Sequence, residues 1–324
     1  MDDRREVIRV VADRSGRPSF IIEKDIWVVR VLDVLFRSPF GPHLVFKGGT
    51  SLSKAHKAID RFSEDVDLTY DIREIIPELV TAAGGPLPKT PSQRQKWTSL
   101  VRKRLAVLLN ETIAPLLIET FVPKEGCTIT VQEDKIFIDY EPLFAHTTYV
   151  RPRVLLEFGG RSTGEPCNDT PIKCDAETQA TEILFPTATV RAMKAERTFW
   201  EKATAIHVYC LQNSSPGERF ARHWSDIACL DKVGFADSAI ADRTLAQEVA
   251  AHKSVFFAEK TGGQMISYQD AIKGKLKLIP EGACRDALAK DYNDMELLFD
   301  SKPCSFDELM QLCRSLEERA NKFG

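Results

Sequence analysis

The sequence predicts an α+β fold, in which a mixed sheet flanked by helices is followed by a helical C-terminal domain. β-Prone segments lie before about residue 188, whereas helical spacing of apolar residues dominates after it. We therefore expect two domains, residues 1–188 and residues 189–324. The 324-residue chain is 43% hydrophobic and 28% charged, a composition that supports a large core and excludes a disordered chain.

The first domain begins with helices and then passes into a strand, a glycine turn and another helix. Apolar residues at helical spacing predict a helix from about Phe20 to Phe36, which ends before Pro39. The β-prone segment 43–47 leads into Gly48-Gly49-Thr50, and the composition of residues 51–59 suits a helix. A strand, a tight turn and a helix therefore follow one another directly.

The sheet continues after this helix. Polar and apolar residues alternate from Asp65 to Tyr70, so Asp65 and Asp67 should project from the same face of a strand. The other elements predicted for the first domain are a loop over residues 84–91, a helix over 92–119 that is kinked or broken near Pro115, a hairpin over 128–138 that turns at 133–135, and a strand over 149–158. The helices predicted for the second domain cover residues 190–209, 219–230, 238–252 and 305–322.

Charge and cysteine content narrow the function classes. Forty-four basic and 47 acidic residues give a net charge of −3, which excludes a surface coated in positive charge but leaves room for a local basic patch. The eight cysteines form no C-x-x-C pair, so we expect neither a structural zinc site nor a redox motif. The mixed charge at the N-terminus and the short apolar runs predict a cytoplasmic protein without a membrane segment.

Two neighbouring motifs carry the candidate chemistry. Gly48-Gly49-Thr50 at the start of a helix can bring backbone N–H groups close to an anion, since glycine permits close approach. Asp65 and Asp67 on one strand face form a platform for hard divalent cations, without which two such close carboxylates would repel. Taken singly, the motifs are explained by a tight connection and a solvated edge strand. Together they suit an enzyme that holds a nucleoside triphosphate and activates its α-phosphate.

Two segments resemble a known family. Lys47-Gly-Gly-Thr-Ser-Leu-Ser-Lys54 and Arg61-Phe-Ser-Glu-Asp-Val-Asp-Leu68 closely resemble the signature of the AbiEii-like nucleotidyltransferase toxins, a branch of the DNA polymerase β-type nucleotidyltransferase superfamily. The resemblance is weakest over residues 72–150 and extends through Glu23-Lys-Asp25, Arg197-Thr-Phe-Trp-Glu-Lys202, Arg222-His-Trp-Ser-Asp226 and Asp291-Tyr-Asn-Asp-Met295. It implies a nucleotidyltransferase-type sheet domain whose active-site cleft is completed by the helical domain.

The resemblance implies a role for each matching residue. Asp65 and Asp67 would be catalytic ligands of Mg²⁺, in a one-ion or two-ion site. Lys202 would contact the phosphates, and Asp226 would either pair with Lys202 or position the attacking hydroxyl as a base. Without the early motifs, an ordinary surface ion pair would be the better explanation of Lys202 and Asp226. The residues implied to line the triphosphate, besides Lys202, are Gly48, Gly49, Thr50 and Ser63.

A third carboxylate and two basic stretches complete the candidate residues. Glu157, within an apolar strand, is our candidate third metal ligand, although the same position could lie on an exposed face without a role. Basic residues cluster around Trp97 without an intervening acidic residue, and a second cluster lies just before Lys202; either could follow an RNA backbone or be a solvated helix face. The candidate acceptor-binding residues are Arg102, Lys103, Arg104, Arg191, Lys194 and Arg197.

The reaction implied is transfer of a nucleoside monophosphate from an NTP to an acceptor, with release of pyrophosphate. The resemblance further implies that the acceptor is the 3′ end of tRNA, and that the protein is a bacterial toxin neutralised by a cognate antitoxin. Two alternatives stay open at this point. The same motifs would serve a transferase that modifies a small molecule or a protein hydroxyl, and the fold could persist as a non-catalytic binding module.

Overall fold

The chain divides into two compact units, which are described separately. The computed structural model describes residues 2–59, 61–145, 150–178, 185–213, 217, 219–299 and 302–323. The first unit, here called the sheet unit, comprises Met1–Ala55 and Ser63–Met193. The second, here called the helical unit, comprises His56–Phe62 and Lys194–Gly324. The domain boundary near residue 188 stays a prediction.

The sheet unit contains a seven-stranded mixed sheet, and the predicted α+β fold class is confirmed. The strand order is β3-β4-β5-β2-β1-β7-β6; β1–β7 and β2–β5 are parallel pairs, and the other neighbours are antiparallel. The strands are β1 (Leu44–Lys47), β2 (Asp65–Tyr70), β3 (Thr128–Gln132), β4 (Lys135–Asp139), β5 (Arg153–Gly159), β6 (Cys167–Lys173) and β7 (Thr187–Met193).

The long helix predicted from the apolar spacing is confirmed and lies in the core of the sheet unit. It runs from Ser19 to Arg37 as α2, after α1 (Asp2–Ser15), and it packs against β7 and β5. Ile22, Val29 and Leu32 on this helix have no exposed surface. Twelve of its residues are buried, including three charged ones, and residues 21–29 are buried without interruption, so this part of the helix is enclosed on every side rather than on one apolar stripe.

The glycines after β1 belong to a helix rather than to a separate turn. The helix α3 (Gly48–Lys54) begins directly after Lys47 and ends earlier than the sequence predicted. Gly48 has a φ of +74°, a value that side-chain-bearing residues rarely adopt. Gly48 is thus the residue that allows the chain to change from β1 into α3 without a connecting loop.

The long helix predicted after the 84–91 loop is confirmed and extends farther at its C-terminal end. It consists of α6 (Pro91–Leu108), a π-helical turn at Leu109–Ile113 and α7 (Ala114–Glu125); α4 (Ile72–Ile75) and α5 (Pro77–Ala83) precede it. The irregular turn lies just before Pro115, which cannot donate a backbone hydrogen bond. The buried residues along the whole segment from α6 to α7 include Trp97, Val101, Leu105, Leu109, Ile113, Leu117 and Phe121.

The segment Pro91–Glu125 is the one helix among the described residues that is long and apolar enough to cross a membrane, judged by length and composition. Core helices of soluble proteins meet the same criteria. The buried residues of this segment recur at intervals of four, as expected for one face packed against a core.

The predicted hairpin is confirmed, and one helix prediction is wrong at its start. β3 and β4 turn at Glu133 and Asp134, where Glu133 has a φ of +54°. The following strand, β5, begins at Arg153; residue 149, the predicted start, lies outside the described residues. Residues 190–193 were predicted to be helical but belong to β7, in which buried Ala188, Val190 and Ala192 alternate with more exposed residues.

The helical unit packs around buried tryptophans. Trp200 Nε1 donates to the Ala239 carbonyl at 2.8 Å, and Trp224 Nε1 donates to the Leu278 carbonyl at 2.6 Å. The predicted helix over 238–252 is two helices, interrupted at Asp242, whose side chain caps the second one. The helices are α8 (Ala195–Gln212), α9 (Arg222–Lys232), α10 (Phe235–Ala241), α11 (Arg243–Phe256), α12 (Tyr268–Asp270), α13 (Gly282–Asp294) and α14 (Phe306–Lys322), with the short strands β8 (Lys260–Thr261) and β9 (Gln264–Met265).

Candidate active site

The predicted metal-binding carboxylates lie on one face of β2. Asp65 and Asp67 are both half-buried, whereas Val66 between them has no exposed surface. In the sheet, Asp67 lies opposite Lys47 of β1 on one side and opposite Glu157 of β5 on the other. Directly opposed residues of neighbouring strands share a face, so charged residues of both signs form a row across the sheet beside Asp67.

The start of α3 lies against this row. A Cβ atom added to Gly48 would lie 2.0 Å from Asp67 Oδ2, so only glycine leaves room for the Asp67 carboxylate. The Thr50 hydroxyl donates to the carbonyl of Asp65 at 2.5 Å and lies 3.0 Å from Ser63 Oγ. Thr50 is 2% exposed, and its hydroxyl therefore joins α3 to the beginning of β2. The structure thus brings Gly48, Thr50, Ser63 and the two aspartates together within the sheet unit.

Glu157 is next to Asp67, as the third-ligand prediction requires, but it has a cationic partner. Lys135 Nζ of β4 lies 2.5 Å from Glu157 Oε1, and the side chains are 42% and 35% exposed. The hydrogen bond that Lys135 donates to Glu157 raises the pKa of Lys135, and the charge of Asp65 acts in the same direction. The sequence analysis placed Lys135 in a hairpin turn and did not predict its contact with Glu157. That contact depends on the pairing of β4 with β5.

The two carboxylates on β2 suit a hard cation whose coordination shell is completed by its substrate. Among the described residues, no group of three or more His, Cys, Asp or Glu side chains is arranged to hold a metal ion. Mg²⁺ commonly uses one or two protein carboxylates and takes its other ligands from water and substrate phosphates. Asp65 and Asp67 fit that requirement without Glu157.

The two late residues of the predicted site, Lys202 and Asp226, form a buried ion pair in the helical unit. Lys202 Nζ lies 2.9 Å from Asp226 Oδ2. Arg61 donates from Nε to Asp226 Oδ1 at 2.7 Å and from Nη2 to Oδ2 at 2.8 Å, a bidentate contact. Asp226 has no exposed surface, and Arg61 is 4% exposed. Burial would raise the pKa of Asp226, but the charges of Arg61 and Lys202 hold it well below the usual value.

These contacts favour pairing over general-base chemistry for Asp226. A carboxylate whose two oxygens receive three charge-assisted hydrogen bonds does not accept a proton near neutral pH. Nearby, burial and the charge of Lys202 lower the pKa of His223 well below its usual value, so this imidazole is neutral. Sequence reasoning did not predict a role for Arg61. Its position in the segment that resembles the family signature, four residues before Asp65, is the sequence feature that points to it.

The candidate acceptor-binding residues lie on several elements of the two units. Arg102, Lys103 and Arg104 of α6 are all exposed, and Arg104 also pairs with Glu78 at 2.7 Å. Trp97, which lies among them in sequence, is 2% exposed and belongs to the core. In the second stretch, Arg191 lies on β7 and donates to the carbonyl of Pro42. Lys194 directly precedes α8. Arg197 is 5% exposed and pairs with Glu201 at 3.2 Å.

The fold is similar to that of a nucleotidyltransferase toxin of known structure. The chain is similar in structure to MenT4, a nucleotidyltransferase toxin from Mycobacterium tuberculosis H37Rv, with a TM-score of 0.54 over 98% of this chain and 94% of that one. The two sequences are 16% identical, so this similarity concerns the fold. No curated protein matches the chain.

A family match identifies the particular kind of nucleotidyltransferase. Residues 30–312 match the family described as Nucleotidyl transferase AbiEii toxin, Type IV TA system. The chain belongs to this family of toxins from toxin–antitoxin systems, as the resemblance predicted. Family membership favours an enzyme over a non-catalytic binding module.

Proposed function

We propose that this protein is a cytoplasmic toxin that transfers a nucleoside monophosphate from an NTP to an RNA acceptor, the 3′ end of tRNA, in a Mg²⁺-dependent reaction. The observation that carries the proposal is the placement of Asp65 and Asp67 on one face of β2, directly beside the start of α3. The tRNA acceptor and neutralisation by a cognate antitoxin are proposed from the family resemblance.

The residues of the sheet unit would bind and orient the triphosphate. Asp65 and Asp67 would hold Mg²⁺, which when bound neutralises phosphate charge and polarises the α-phosphate. Gly48 and Gly49 would present backbone N–H groups to the phosphates, because neither residue has a side chain in the way. Thr50, whose hydroxyl contacts Ser63 and the Asp65 carbonyl, would fix the glycines relative to the carboxylates.

The resemblance assigns the phosphate contact of the helical unit to Lys202. An ammonium group has three N–H donors, and Asp226 receives one of them from Lys202. The remaining donors would serve phosphate oxygens, while the buried Asp226 carboxylate would hold the Lys202 side chain in one position. Replacing Lys202 by methionine should therefore weaken NTP binding, which calorimetry of the folded variant can measure.

One incorporation assay tests the proposed reaction. The purified protein is incubated with total RNA and each α-labelled NTP, with Mg²⁺ or with EDTA, and labelled RNA is resolved by size. Asp65→Asn and Asp67→Asn should each reduce incorporation by at least about 10²-fold, since each removes one ligand charge. Asp139→Asn is the matched control, because Asp139 also lies on a sheet strand and pairs with Arg153 at 2.7 Å. Full activity in both variants of β2 would refute the metal assignment.

Salt dependence tests the acceptor. Arg102 and Lys103 are exposed basic residues of the first stretch, so replacing both by glutamine should reduce the slope of log affinity against log salt concentration by up to about 1.4 for single-stranded RNA. Lys290 and Arg314 are exposed basic residues of the helical unit, and replacing both by glutamine provides the control. An unchanged slope in the Arg102 and Lys103 double variant would rule out this acceptor surface.

A second candidate acceptor is a small molecule or a protein hydroxyl. The observation that favours it is the engagement of Arg104 and Arg197 with carboxylates in a protein of net charge −3, which leaves less basic surface for RNA. Under this alternative, label from the NTP would appear in a low-molecular-weight or protein fraction, and total RNA would stay unlabelled.

A further inference from the structure

Three consecutive charged residues lie inside the sheet unit, at the N-terminal end of the enclosed helix α2. Glu23, Lys24 and Asp25 are 3%, 2% and 3% exposed. Buried charges are costly unless each is paired, and apolar side chains would pack in the same place at lower cost. Consecutive helical residues point about 100° apart, so the three side chains contact three different segments of the chain.

Lys24 contacts the residue that precedes the metal-binding strand. Its Nζ lies 2.9 Å from Glu64 Oε2 and donates to the Arg151 carbonyl at 3.2 Å. Glu64 is followed directly by Asp65, the first residue of β2. Lys24 therefore fixes the entry of β2 from the core side.

Asp25 contacts the other half of the site. Its carboxylate forms an ion pair with Lys54 and accepts a hydrogen bond from the backbone N–H of Asp175 at 2.7 Å. Lys54 Nζ also lies 2.6 Å from Asp175 Oδ1. Lys54 is the last residue of α3, and α3 is only seven residues long. Holding its last turn therefore holds its first turn, which contains Gly48 and Thr50.

We propose that Lys24 and Asp25 are positioning residues, through which α2 holds β2 and α3 at a fixed separation. Lys24 acts on Asp65 through Glu64, and Asp25 acts on Gly48 through Lys54. The separation matters because Gly48 and the Asp67 carboxylate are in close contact, so a small shift of either element displaces a metal ligand. This inference rests on the proposed function, in that the separation it fixes is the one between the metal ligands and the triphosphate.

The test uses two variants and a matched control on the same helix. Lys24→Met and Asp25→Asn each remove one positioning charge with little change in side-chain size. Glu23→Gln is the control, because Glu23 is equally buried and accepts from the backbone N–H of Leu143 at 2.8 Å, a residue that belongs to neither β2 nor α3. Mn²⁺ affinity, nucleotide incorporation and unfolding by urea are measured for each full-length protein.

Both positioning variants should lower the turnover number by about 10–100-fold per folded molecule, since displacing a reacting group by about 1 Å costs up to 10²-fold. Their Mn²⁺ affinity should fall several-fold at equal folded fraction, a change that a loss of stability alone does not produce. Glu23→Gln should lose stability but keep its turnover number and Mn²⁺ affinity within about threefold of the unmodified protein.

Hydrogen exchange adds a readout that does not depend on activity. Amides of residues 48–54 and 64–67 should exchange faster in Lys24→Met and Asp25→Asn than in Glu23→Gln. If Lys24→Met does not fold, Glu64→Gln is the milder variant of the same contact, because the Glu64 side chain is 17% exposed, and it should change Mn²⁺ affinity in the same direction.

The possible failures are distinguishable. Equal Mn²⁺ affinity and turnover number in all three variants, with an active unmodified protein, would overturn the positioning role alone. An unmodified protein that neither binds Mn²⁺ nor incorporates any nucleotide would overturn the proposed function.

Discussion

Gly48→Ala tests the arrangement of the site more directly than removal of a carboxylate. The added Cβ would lie 2.0 Å from Asp67 Oδ2, 2.7 Å from Cγ and 2.9 Å from Cβ of the same residue. The clash involves the whole Asp67 side chain, so rotation of its carboxylate alone does not relieve it. Restoring ordinary contact at 3.4 Å requires the nearest oxygen to move by about 1.4 Å from its position at 2.0 Å.

The magnitude follows from this displacement. A misplacement of about 1 Å in a reacting group can cost about 10²-fold in rate, so kcat for nucleotide incorporation should fall by about that factor. The positive φ of Gly48 adds a separate cost of about 1–2 kcal/mol to folding, because an L-residue is strained there. The activity loss should therefore exceed what partial unfolding explains.

Gly84→Ala separates the two effects. Gly84 has a φ of +71°, close to that of Gly48, but an added Cβ would meet nothing within 4 Å. Gly84→Ala should lose about the same folding free energy from the positive φ and keep its incorporation rate. Incorporation kinetics and urea unfolding are therefore measured for both variants. The reasoning fails if Gly48→Ala, once corrected for its folded fraction, remains within threefold of Gly84→Ala.

Three further perturbations give distinct signatures. Arg61→Met should cost about 3–5 kcal/mol in urea unfolding, because it removes a bidentate partner from the fully buried Asp226; a cost below 1 kcal/mol would contradict the buried pair. Burial lowers the pKa of His207 to about 4, so between pH 6.5 and 4 the unfolded chain binds a proton that the folded protein does not, and stability should fall by up to about 3 kcal/mol as the pH falls. In His207→Asn, unfolding measured at several pH values should show a shallower decline, and an identical decline would refute the assignment. Lys135→Met removes a cation whose pKa responds to Asp65, so the Mg²⁺ concentration for half-maximal incorporation should fall roughly twofold to fivefold, with less than about 1 kcal/mol change in stability; a higher Mg²⁺ requirement would indicate instead that Lys135 assists binding.

Local patterns determined the elements that carry the site. The helix predicted from residue 20 to residue 36 is α2, and the alternation that begins at Asp65 is β2. Both are long or regular enough for the 3.6-residue or two-residue period to identify them. The resemblance located the family from the residues around Gly48 and Asp65, and the family match over residues 30–312 confirms it.

Local patterns failed where the tertiary environment decided the conformation. Residues 190–193 read as the start of a helix, yet they form the end of β7, because Val190 and Ala192 are buried on one face of the sheet. Trp97 lies among basic residues in the sequence, yet it packs in the core. At residues 190–193 the sequence period was short, and burial outweighed it.

The sequence by itself determined which chemical groups the candidate site contains, the aspartates of β2 and the glycines of α3, and it determined the family to which the chain belongs. Only the tertiary structure decided the partners of the charged residues. Lys24 pairs with Glu64 across 40 residues, Lys135 with Glu157 across 22, and Arg61 with Asp226 across 165. The physical reason is that an ion pair depends on distances of about 3 Å between side-chain atoms. Those distances are set by strand register and helix packing, which no local period in the sequence records.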